Sequence, residues 1–339
     1  MKVALIASPF VSVPPVRYGG TELFLSTLAE ELKELGVDPI VYANGDSKID
    51  AELRWLYKEA EWPLKDDTSG LLKELDHLSW AISQAVEECD VIHVNSVLGA
   101  MLSRFTDKPF VCTMHHPAET PVTDLYRKLP GVQYVAISRH QASEHTSINP
   151  FVIRHGIDMK KYAFNANKSE YLAFLGRIAP VKGTHLAIEV AKKSGIPLKI
   201  AGEVQPMFQS YYDTMVKPHI DGKFIEYIGE ADLSMKNELL GNSIGMLFPI
   251  TWDEPFGLVM LESMACGTPV FALDRGSVPE VVGNSSGVVC TSVDQLVKAV
   301  QLQKFNYQAV RQHVTDHFSS RSMASNYARL YHARLNPAA

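Results

Sequence analysis

Two glutamates, Glu254 and Glu262, lie in one segment, TWDEPFGLVMLESMACGTPV, whose pattern suits ligand binding. Pro255 and Gly257 prevent a regular helix in its first part, so Glu254 is predicted on a loop. A short helix is predicted from Leu258 to Cys266, and it carries Glu262 more than one turn along. At ~1.5 Å rise per residue the carboxylates lie about one and a half turns apart. That spacing is poor for one metal ion and good for gripping two hydroxyl-bearing parts of a long ligand.

The predicted helix start lies between these glutamates, and its unpaired backbone N–H groups form a natural anion site. Gly267 is suited to end the helix, and the apolar run Thr268–Leu273 is then predicted as a buried strand. In order along the segment, the first carboxylate complements a sugar, the anion site a diphosphate, and the second carboxylate a ribose.

A second group of charges follows the strand predicted at Tyr171–Leu175. Gly176 ends this strand, Arg177 and Lys182 flank a short loop, and a helix is predicted to begin near Thr184. Arginine offers a planar fork to phosphate oxygens, and lysine offers a point charge. Taken alone, such a pair is more often a pair of solvated surface charges. Because the two-glutamate segment lies at the same sheet edge, a diphosphate site is favoured.

Two further candidates follow predicted strands near the N-terminus. Gly19 and Gly20 let the backbone approach a ligand closely, with Thr21 as a helix N-cap, although a Gly-Gly turn alone is more often just a turn. His115 and His116 follow another strand. A zinc site there lacks a second ligand pair, which leaves a histidine that donates to a substrate hydroxyl or one that caps the strand.

Composition narrows the class of protein. The chain has 339 residues, 46% hydrophobic and 21% charged, which fits two ordinary globular domains. A net charge of −6 gives no reason to expect nucleic acid binding. No apolar run approaches the ~20 residues of a transmembrane segment. The cysteines form no C-x-x-C pair and favour a reducing, cytoplasmic location; they are Cys89, Cys112, Cys266 and Cys290.

Short apolar runs alternate with helical patterns along most of the chain, which predicts an α/β fold with parallel sheets. Strands are predicted in the first half at Val3–Ser8, Pro39–Ala43, Val91–Val94, Phe110–Thr113 and Tyr134–Ile137. In the second half they are predicted at Tyr171–Leu175, Leu198–Ala201, Ile225–Ile228, Gly245–Phe248, Val270–Leu273 and Val288–Cys290. Residues 44–70 favour no element. Two such blocks indicate two Rossmann-like domains with a ligand site in the cleft between them.

Together these segments resemble the family-4 retaining glycosyltransferases, whose GT-B architecture has two facing Rossmann-like domains. The likeness covers nearly the whole chain and is most specific where the two glutamates satisfy the family's E-x7-E element. The resemblance implies an acceptor-side domain at residues 1–160 and a nucleotide-sugar-binding domain at 161–320. A C-terminal helix at 321–335 is expected to pack back on the first domain.

The resemblance also implies roles for individual residues. Arg177 and Lys182 are expected to bind the donor diphosphate, Glu254 the transferred sugar and Glu262 the ribose. His115 is expected near the reaction centre, and which of it and His116 faces the sugar is left open. The remaining donor-binding residues implied are Gly19, Gly20, Gly176, Phe256, Gly257, Leu258 and Val259.

The implied reaction moves a hexose from a nucleotide-diphosphate sugar, UDP-glucose or GDP-mannose, to a hydroxyl acceptor with retention and same-face attack. No Asp-x-Asp pair occurs, so no metal and no cofactor beyond the sugar donor are expected. The acceptor is a small molecule, a glycan or a lipid-linked hydroxyl, and a place at the membrane surface stays open. The alternatives are a GT-B-like sugar-nucleotide epimerase or phosphorylase, or a non-catalytic sugar-nucleotide-binding protein.

Overall fold

A computed structural model describes residues 1–64 and 66–336 of the chain. These residues form two units. The first comprises Met1–Gly156 together with the C-terminal segment that begins at Ser320, and the second comprises Ile157–Ser319. Of the stretch 44–70, which the sequence leaves unassigned, residue 65 lies outside the described residues.

Parallel strands build the sheet of the first unit in the order β3-β2-β1-β4-β5-β6-β7. The strands are β1 (Lys2–Ile6), β2 (Asp38–Ala43), β3 (Glu52–Trp55), β4 (Val91–Val94), β5 (Phe110–Met114), β6 (Val132–Ala136) and β7 (Phe151–Val152). The helices are α1 (Gly20–Glu34), α2 (Asp67–Glu88), α3 (Val97–Met101), α4 (Thr120–Arg127) and α5 (Arg139–Glu144), with a 3₁₀ turn at Leu102–Phe105. Strand order reverses between β1 and β4, and open α/β sheets bind ligands at the carboxyl side of such a switch point.

The second unit repeats this topology with the order β10-β9-β8-β11-β12-β13, all parallel. Its strands are β8 (Leu172–Leu175), β9 (Leu198–Ala201), β10 (Ile225–Tyr227), β11 (Gly245–Phe248), β12 (Val270–Leu273) and β13 (Gly287–Cys290). Its helices are α6 (Thr184–Ser194), α7 (Gln209–Tyr211), α8 (Leu233–Asn242), α9 (Leu258–Ala265), α10 (Val278–Val281), α11 (Val293–Leu302) and α12 (Tyr307–His317). Short 3₁₀ turns lie at Met159–Lys161, Pro180–Lys182, Pro206–Phe208 and Lys217–His219, and a π turn lies at Tyr212–Val216. The switch point lies between β8 and β11.

The last helix, α13 (Ser320–Leu335), belongs to the first unit, where it packs against α1. A buried polar chain fixes it to the sheet. The hydroxyl of Tyr331 lies 2.7 Å from Nδ1 of His93, whose Nε2 lies 2.8 Å from Oγ1 of Thr113. That oxygen in turn lies 2.9 Å from the hydroxyl of Tyr327. Each polar atom of this buried chain therefore has a partner, as a low-dielectric interior requires.

The structure confirms two α/β domains with parallel sheets. It adds two edge strands, β3 and β7, and corrects two details. Helix α1 begins at Gly20 with Gly19 as its N-cap, so Thr21 lies inside the first turn. Residues 157–160 join the second unit, because the N–H of Ile157 donates to the carbonyl of Phe318 at 3.0 Å. Over residues 1–64 and 66–336, no helix is long and apolar enough to span a bilayer.

Candidate active site

The loops that follow β8, β9 and β11 approach one another through glycines. Gly183 has φ of 73°, and a Cβ there would lie 2.0 Å from the carbonyl oxygen of Pro249. A Cβ on Gly202 would lie 1.8 Å from the carbonyl oxygen of Gly176. Only glycine fits at either position, because any side chain would collide with backbone that cannot move aside. These contacts bring the predicted basic loop beside the loop that carries Glu254.

Lys182, Glu254 and Trp252 form one cluster at this switch point. Nζ of Lys182 donates to Oε2 of Glu254 at 2.5 Å, and Nε1 of Trp252 donates to the same oxygen at 3.0 Å. The ammonium also lies 4.6 Å from the centroid of the Trp252 ring, within the range of a cation–π contact. Two donors thus converge on one carboxylate oxygen of a buried glutamate.

The other oxygen of Glu254 remains available. Across the described parts of the chain, Oε1 has no hydrogen-bond partner, since both contacts of the carboxylate go to Oε2. An ionised carboxylate accepts several hydrogen bonds. Glu254 is therefore held in place by its Oε2 while Oε1 can accept hydrogen bonds from hydroxyl groups of a ligand.

A second loop, which contains Gly276 and Ser277, contacts the backbone of Glu254. Gly276 approaches so closely that a Cβ there would lie 2.4 Å from the backbone N and O of Glu254. The N–H of Ser277 donates to the carbonyl of Glu254 at 2.9 Å, and its hydroxyl donates to the carbonyl of Phe256 at 3.0 Å. The loop that carries the glutamate is thus fixed at its backbone as well as at its side chain.

The helix start beyond Glu254 has the geometry expected of an anion site. Gly257 is the N-cap of α9 with φ of 82°, a left-handed conformation that favours glycine. The N–H groups of Leu258 and Val259 begin the helix, where helix geometry supplies no acceptor. Phe256 is buried and packs against Phe318, with ring centroids 6.0 Å apart. Its side chain therefore belongs to the core.

Arg177 lies at the end of β8, in a different set of contacts from Lys182. Its NH1 donates to Oε1 of Gln205 at 3.2 Å, and its guanidinium lies 5.6 Å from the ring centroid of Phe208. Nε is buried and has no partner within the described residues. The guanidinium is thus oriented by Gln205 and Phe208, and its charge is not neutralised by Glu254 or Glu262.

Glu262 lies in the second turn of α9 and is almost completely buried, with 2% of its surface exposed. Its Oε1 accepts from the hydroxyl of Tyr162 at 2.9 Å and from Nζ of Lys236 at 3.0 Å. Burial and the carboxylate of Glu262 raise the pKa of Tyr162 well above its usual value. Tyr162 therefore keeps its proton and acts as a donor. The structure does not bring Glu254 and Glu262 into contact, and they share no partner among the described residues.

The first unit carries the other predicted residues, and His115 is the clearest of them. Its Nε2 lies 2.9 Å from Oδ1 of Asn95, whose amide nitrogen donates to the carbonyl of Ile6 at 3.1 Å. That second bond fixes the orientation of the amide, so Nε2 of His115 has to be the donor. Burial, with a smaller effect of His116, lowers the pKa of His115 to about 3. The ring is therefore neutral at pH 7, and its Nδ1 is an acceptor, not the donor that the sequence suggested.

Both ring nitrogens of His116 already have hydrogen-bond partners within the protein. Its Nδ1 lies 2.8 Å from the carbonyl oxygen of Pro117, and its Nε2 lies 2.8 Å from the hydroxyl of Tyr126. In contrast, Nδ1 of His115 has no protein partner in the part of the chain that the structure describes. His115 stacks on His155, with centroids 5.4 Å apart and planes 17° apart. Of the two neighbouring histidines, only His115 can bind a ligand through its ring.

Gly19 and Gly20 form the start of α1 at the carboxyl end of β1. Gly19 has φ of 150°, and a Cβ there would lie 2.7 Å from Cβ of Pro15 and 2.9 Å from Oε2 of Glu22. Glu22 is buried, accepts from the hydroxyl of Ser8 at 3.2 Å, and has a pKa that burial raises. This helix start is therefore already occupied in part by a carboxyl group of the protein itself.

Sequence reasoning missed three residues that contact the glutamates: Trp252, Tyr162 and Lys236. Trp252 stands two residues before Glu254 on the same loop, and this sequence proximity is the signal that could have found it. Lys236 lies in the first turn of α8, where the helix dipole disfavours a cation. A lysine in that position signals a nearby acid.

Comparison with known proteins gives the family. Residues 157–306 match the model of glycosyl transferases group 1, and residues 18–161 match that of glycosyltransferase family 4. Glycogen synthase from Mycobacterium tuberculosis is 29% identical over 199 residues, which cover 53% of this chain and 47% of that protein. The chain thus spans about half the length of this curated relative.

Solved structures share the fold over the whole chain. AviGT4, a glycosyltransferase involved in avilamycin A biosynthesis, is 23% identical, with a TM-score of 0.76 over 99% of this chain and 98% of that one. HepE from Anabaena in complex with UDP-glucose is 17% identical, with a TM-score of 0.74 over 98% of this chain and 100% of that one. The two family matches show that the chain belongs to the family-4 glycosyltransferases, and the solved structures show that it has their GT-B fold.

Proposed function

We propose that the protein is a retaining glycosyltransferase that moves a hexose from a nucleotide-diphosphate sugar to a hydroxyl acceptor. The observation that carries this proposal is the Lys182–Glu254–Trp252 cluster at the β8/β11 switch point, with Oε1 of Glu254 left for a ligand. A buried carboxylate with one free oxygen suits the hydroxyls of a sugar. The helix start of α9 beside it suits a phosphate.

The donor is expected to lie along these groups. Glu254 accepts hydrogen bonds from the transferred sugar, the N–H groups of Leu258 and Val259 bind phosphate oxygens, and Glu262 binds the ribose. Arg177 and Lys182 stabilise the negative charge that grows on the diphosphate as it leaves. UDP-glucose is the first candidate donor and GDP-mannose the second. The structure of HepE, which has this fold, holds UDP-glucose.

The proposed reaction breaks the bond between the anomeric carbon and the donor phosphate oxygen, and forms a bond from that carbon to the acceptor oxygen on the same face. The acceptor proton passes to the departing phosphate oxygen, so the products are the glycoside and the nucleoside diphosphate. No metal ion is needed in this scheme. Nδ1 of His115, as an acceptor, is expected to bind a hydroxyl near the reacting carbon. The acceptor is a small molecule, a glycan or a lipid-linked hydroxyl.

The cysteines support a reducing location for this enzyme. Cys89, Cys112, Cys266 and Cys290 are all buried and unpaired, which suits the cytoplasm.

A ligand screen tests the proposal. UDP-, GDP-, ADP- and TDP-sugars are added and the thermal midpoint of unfolding is measured. A ligand at ~100 times its Kd adds about 2.7 kcal/mol of stability. The sugar that binds is then incubated with candidate acceptors, and the anomeric configuration of the product is determined by NMR, with and without EDTA. Binding by none of the nucleotide sugars would refute the proposal.

The products separate the other reaction classes. A sugar nucleotide changed only at one stereocentre indicates an epimerase, and sugar phosphate formed from a glycan indicates a phosphorylase. Binding without turnover indicates a sugar-nucleotide-binding protein. Inversion at the anomeric carbon would exclude the same-face mechanism, and a covalent glycosyl adduct on Glu254 would replace it.

A further inference from the structure

Glu262 is held by two donors that come from different elements. Tyr162 follows the 3₁₀ turn at Met159–Lys161, and Lys236 lies in the first turn of α8. Both donate to Oε1, at 2.9 Å and 3.0 Å. Oε2 has no hydrogen-bond partner in residues 1–64 and 66–336. One oxygen of Glu262 is therefore fully engaged by the protein, and the other is left to a ligand.

The segment that carries Tyr162 is fixed on both sides. The side chain of Asn237, next to Lys236, donates to the carbonyl of Lys161 at 2.9 Å and accepts from the N–H of Ala163 at 2.8 Å. Arg311 donates to the carbonyl of Tyr162 at 2.9 Å. These bonds fix the backbone from which the side chain of Tyr162 reaches Glu262.

The position of Lys236 is electrostatically unfavourable unless its ammonium pairs with the carboxylate of Glu262. Asp232 caps α8 and accepts from the N–H of Met235 at 2.9 Å, so Lys236 lies in the first turn at the positive end of the helix. Its side chain is only 16% exposed. A lysine that loses both hydration and a favourable dipole needs a partner, and Glu262 is that partner.

We propose that Lys236 and Tyr162 are positioning residues that bind Oε1 of Glu262 and thereby present Oε2 to the ribose hydroxyls of the donor nucleotide. This inference rests on the proposed function, which it deepens. The ammonium of Lys236 and the hydroxyl of Tyr162 together set the rotation of the carboxylate plane of Glu262. Without both donors, the buried carboxylate, with 2% of its surface exposed, is free to turn.

The same arrangement occurs at Glu254. The ammonium of Lys182 and the indole N–H of Trp252 share a single oxygen of Glu254, as the ammonium of Lys236 and the hydroxyl of Tyr162 share one oxygen of Glu262. The recurrence within nine residues of the sequence favours a common purpose over two chance contacts. In both places the ligand-facing oxygen is set before a ligand arrives, which removes the cost of ordering it on binding.

The test compares the affinity of the protein for a ribonucleotide with its affinity for the 2′,3′-dideoxy form of the same nucleotide. Partial unfolding of a variant lowers both affinities by the same factor, so their ratio reports only on the ribose contact. Dissociation constants are measured by calorimetry for UDP and GDP, and then for the 2′,3′-dideoxy form of the tighter binder. The wild type is expected to prefer the ribonucleotide at least tenfold. K236M is expected to lose most of that preference, K236R to keep most of it, and Y162F to fall between them.

The control is K199M. Lys199 pairs with Glu226 at 3.2 Å, and both side chains are 39% exposed. K199M should leave the preference unchanged. A wild-type preference in K236M, or no preference in the wild type, overturns the inference while the proposed function stands. Failure of the wild type to bind any of the four nucleotide sugars of the ligand screen overturns the proposed function, and this inference with it.

Discussion

The Lys182–Glu254 pair leads to a stability prediction whose sign can be worked out. The 2.5 Å contact corresponds to a gross Coulomb attraction of about 6–7 kcal/mol at an effective dielectric of ~20. The side chains are only 18% and 10% exposed. Desolvation of each ion costs several kcal/mol and offsets most of this attraction. The intact pair is therefore nearly neutral for folding, whereas either ion left alone is not.

Lys182→Met leaves Glu254 ionised and buried, with only Trp252 as a donor. The free energy of unfolding of the second unit is expected to fall by about 3–5 kcal/mol. Adding Glu254→Gln removes the stranded charge and keeps an oxygen for the Trp252 N–H. The double variant is therefore expected to be more stable than Lys182→Met alone, by about 1–3 kcal/mol.

Urea unfolding at pH 7 measures this difference. Trp252 is the only tryptophan of the sequence between residues 157 and 319, so its fluorescence follows the second unit. The matched control is Lys199→Met, which breaks an exposed ion pair and should cost less than about 1 kcal/mol. If the double variant is as unstable as the sum of the two single variants, the ion pair does not form in solution and the reasoning is refuted.

Three other predictions concern parts of the fold that hold the site. Gly183→Ala should destabilise the second unit by several kcal/mol, whereas Gly195→Ala, at the same φ of 73° in open space, should cost about 1–2 kcal/mol. Tyr331→Phe, measured by urea unfolding, should cost about 1–3 kcal/mol because it leaves Nδ1 of His93 buried without a partner. Burial lowers the pKa of His93 and His115 to about 3, so stability should fall as pH drops from 6.5, by about 1.4 kcal/mol per pH unit for each.

Each of these three predictions would be contradicted by a specific result. Equal losses from Gly183→Ala and Gly195→Ala would mean that the loop does not touch Pro249. A neutral Tyr331→Phe would mean that α13 is not tied to β4. The sign of the pH effect follows from the protons bound: between pH 3 and 6.5 the unfolded chain binds more, since its histidines have ordinary pKa values. Stability that is flat over this range would mean that the two histidines are solvated.

The sequence predicts elements well where one physical rule decides them. Buried parallel strands are continuous apolar runs, so β4, β9, β11 and β12 are predicted at their observed bounds. β3 and β7 are not predicted from the sequence, because they are short edge strands whose side chains are partly or fully exposed. Neither an apolar run nor a regular alternation marks them.

The sequence does not predict side-chain contacts between segments that are distant along the chain. Glu254 and Lys182 are predicted to lie at one sheet edge, because parallel topology places both loops there. That they touch depends on the close approach of Gly183 to Pro249, which no local pattern encodes. His115 and His116 are neighbours in sequence and cannot be told apart by pattern; only their partners in the fold distinguish them.

The ion pair also bears on how the diphosphate is bound. While Lys182 is paired with Glu254, its charge is largely cancelled at any phosphate a few ångströms away, because the two opposite charges act as a short dipole. The positive potential of the unliganded site then comes mainly from Arg177 and the start of α9. A donor that engages Lys182 has to draw the ammonium from Oε2 of Glu254, and that oxygen keeps the N–H of Trp252. During such a shift of Lys182 the N–H of Trp252 still supports the carboxylate of Glu254, so the shift depends on Trp252.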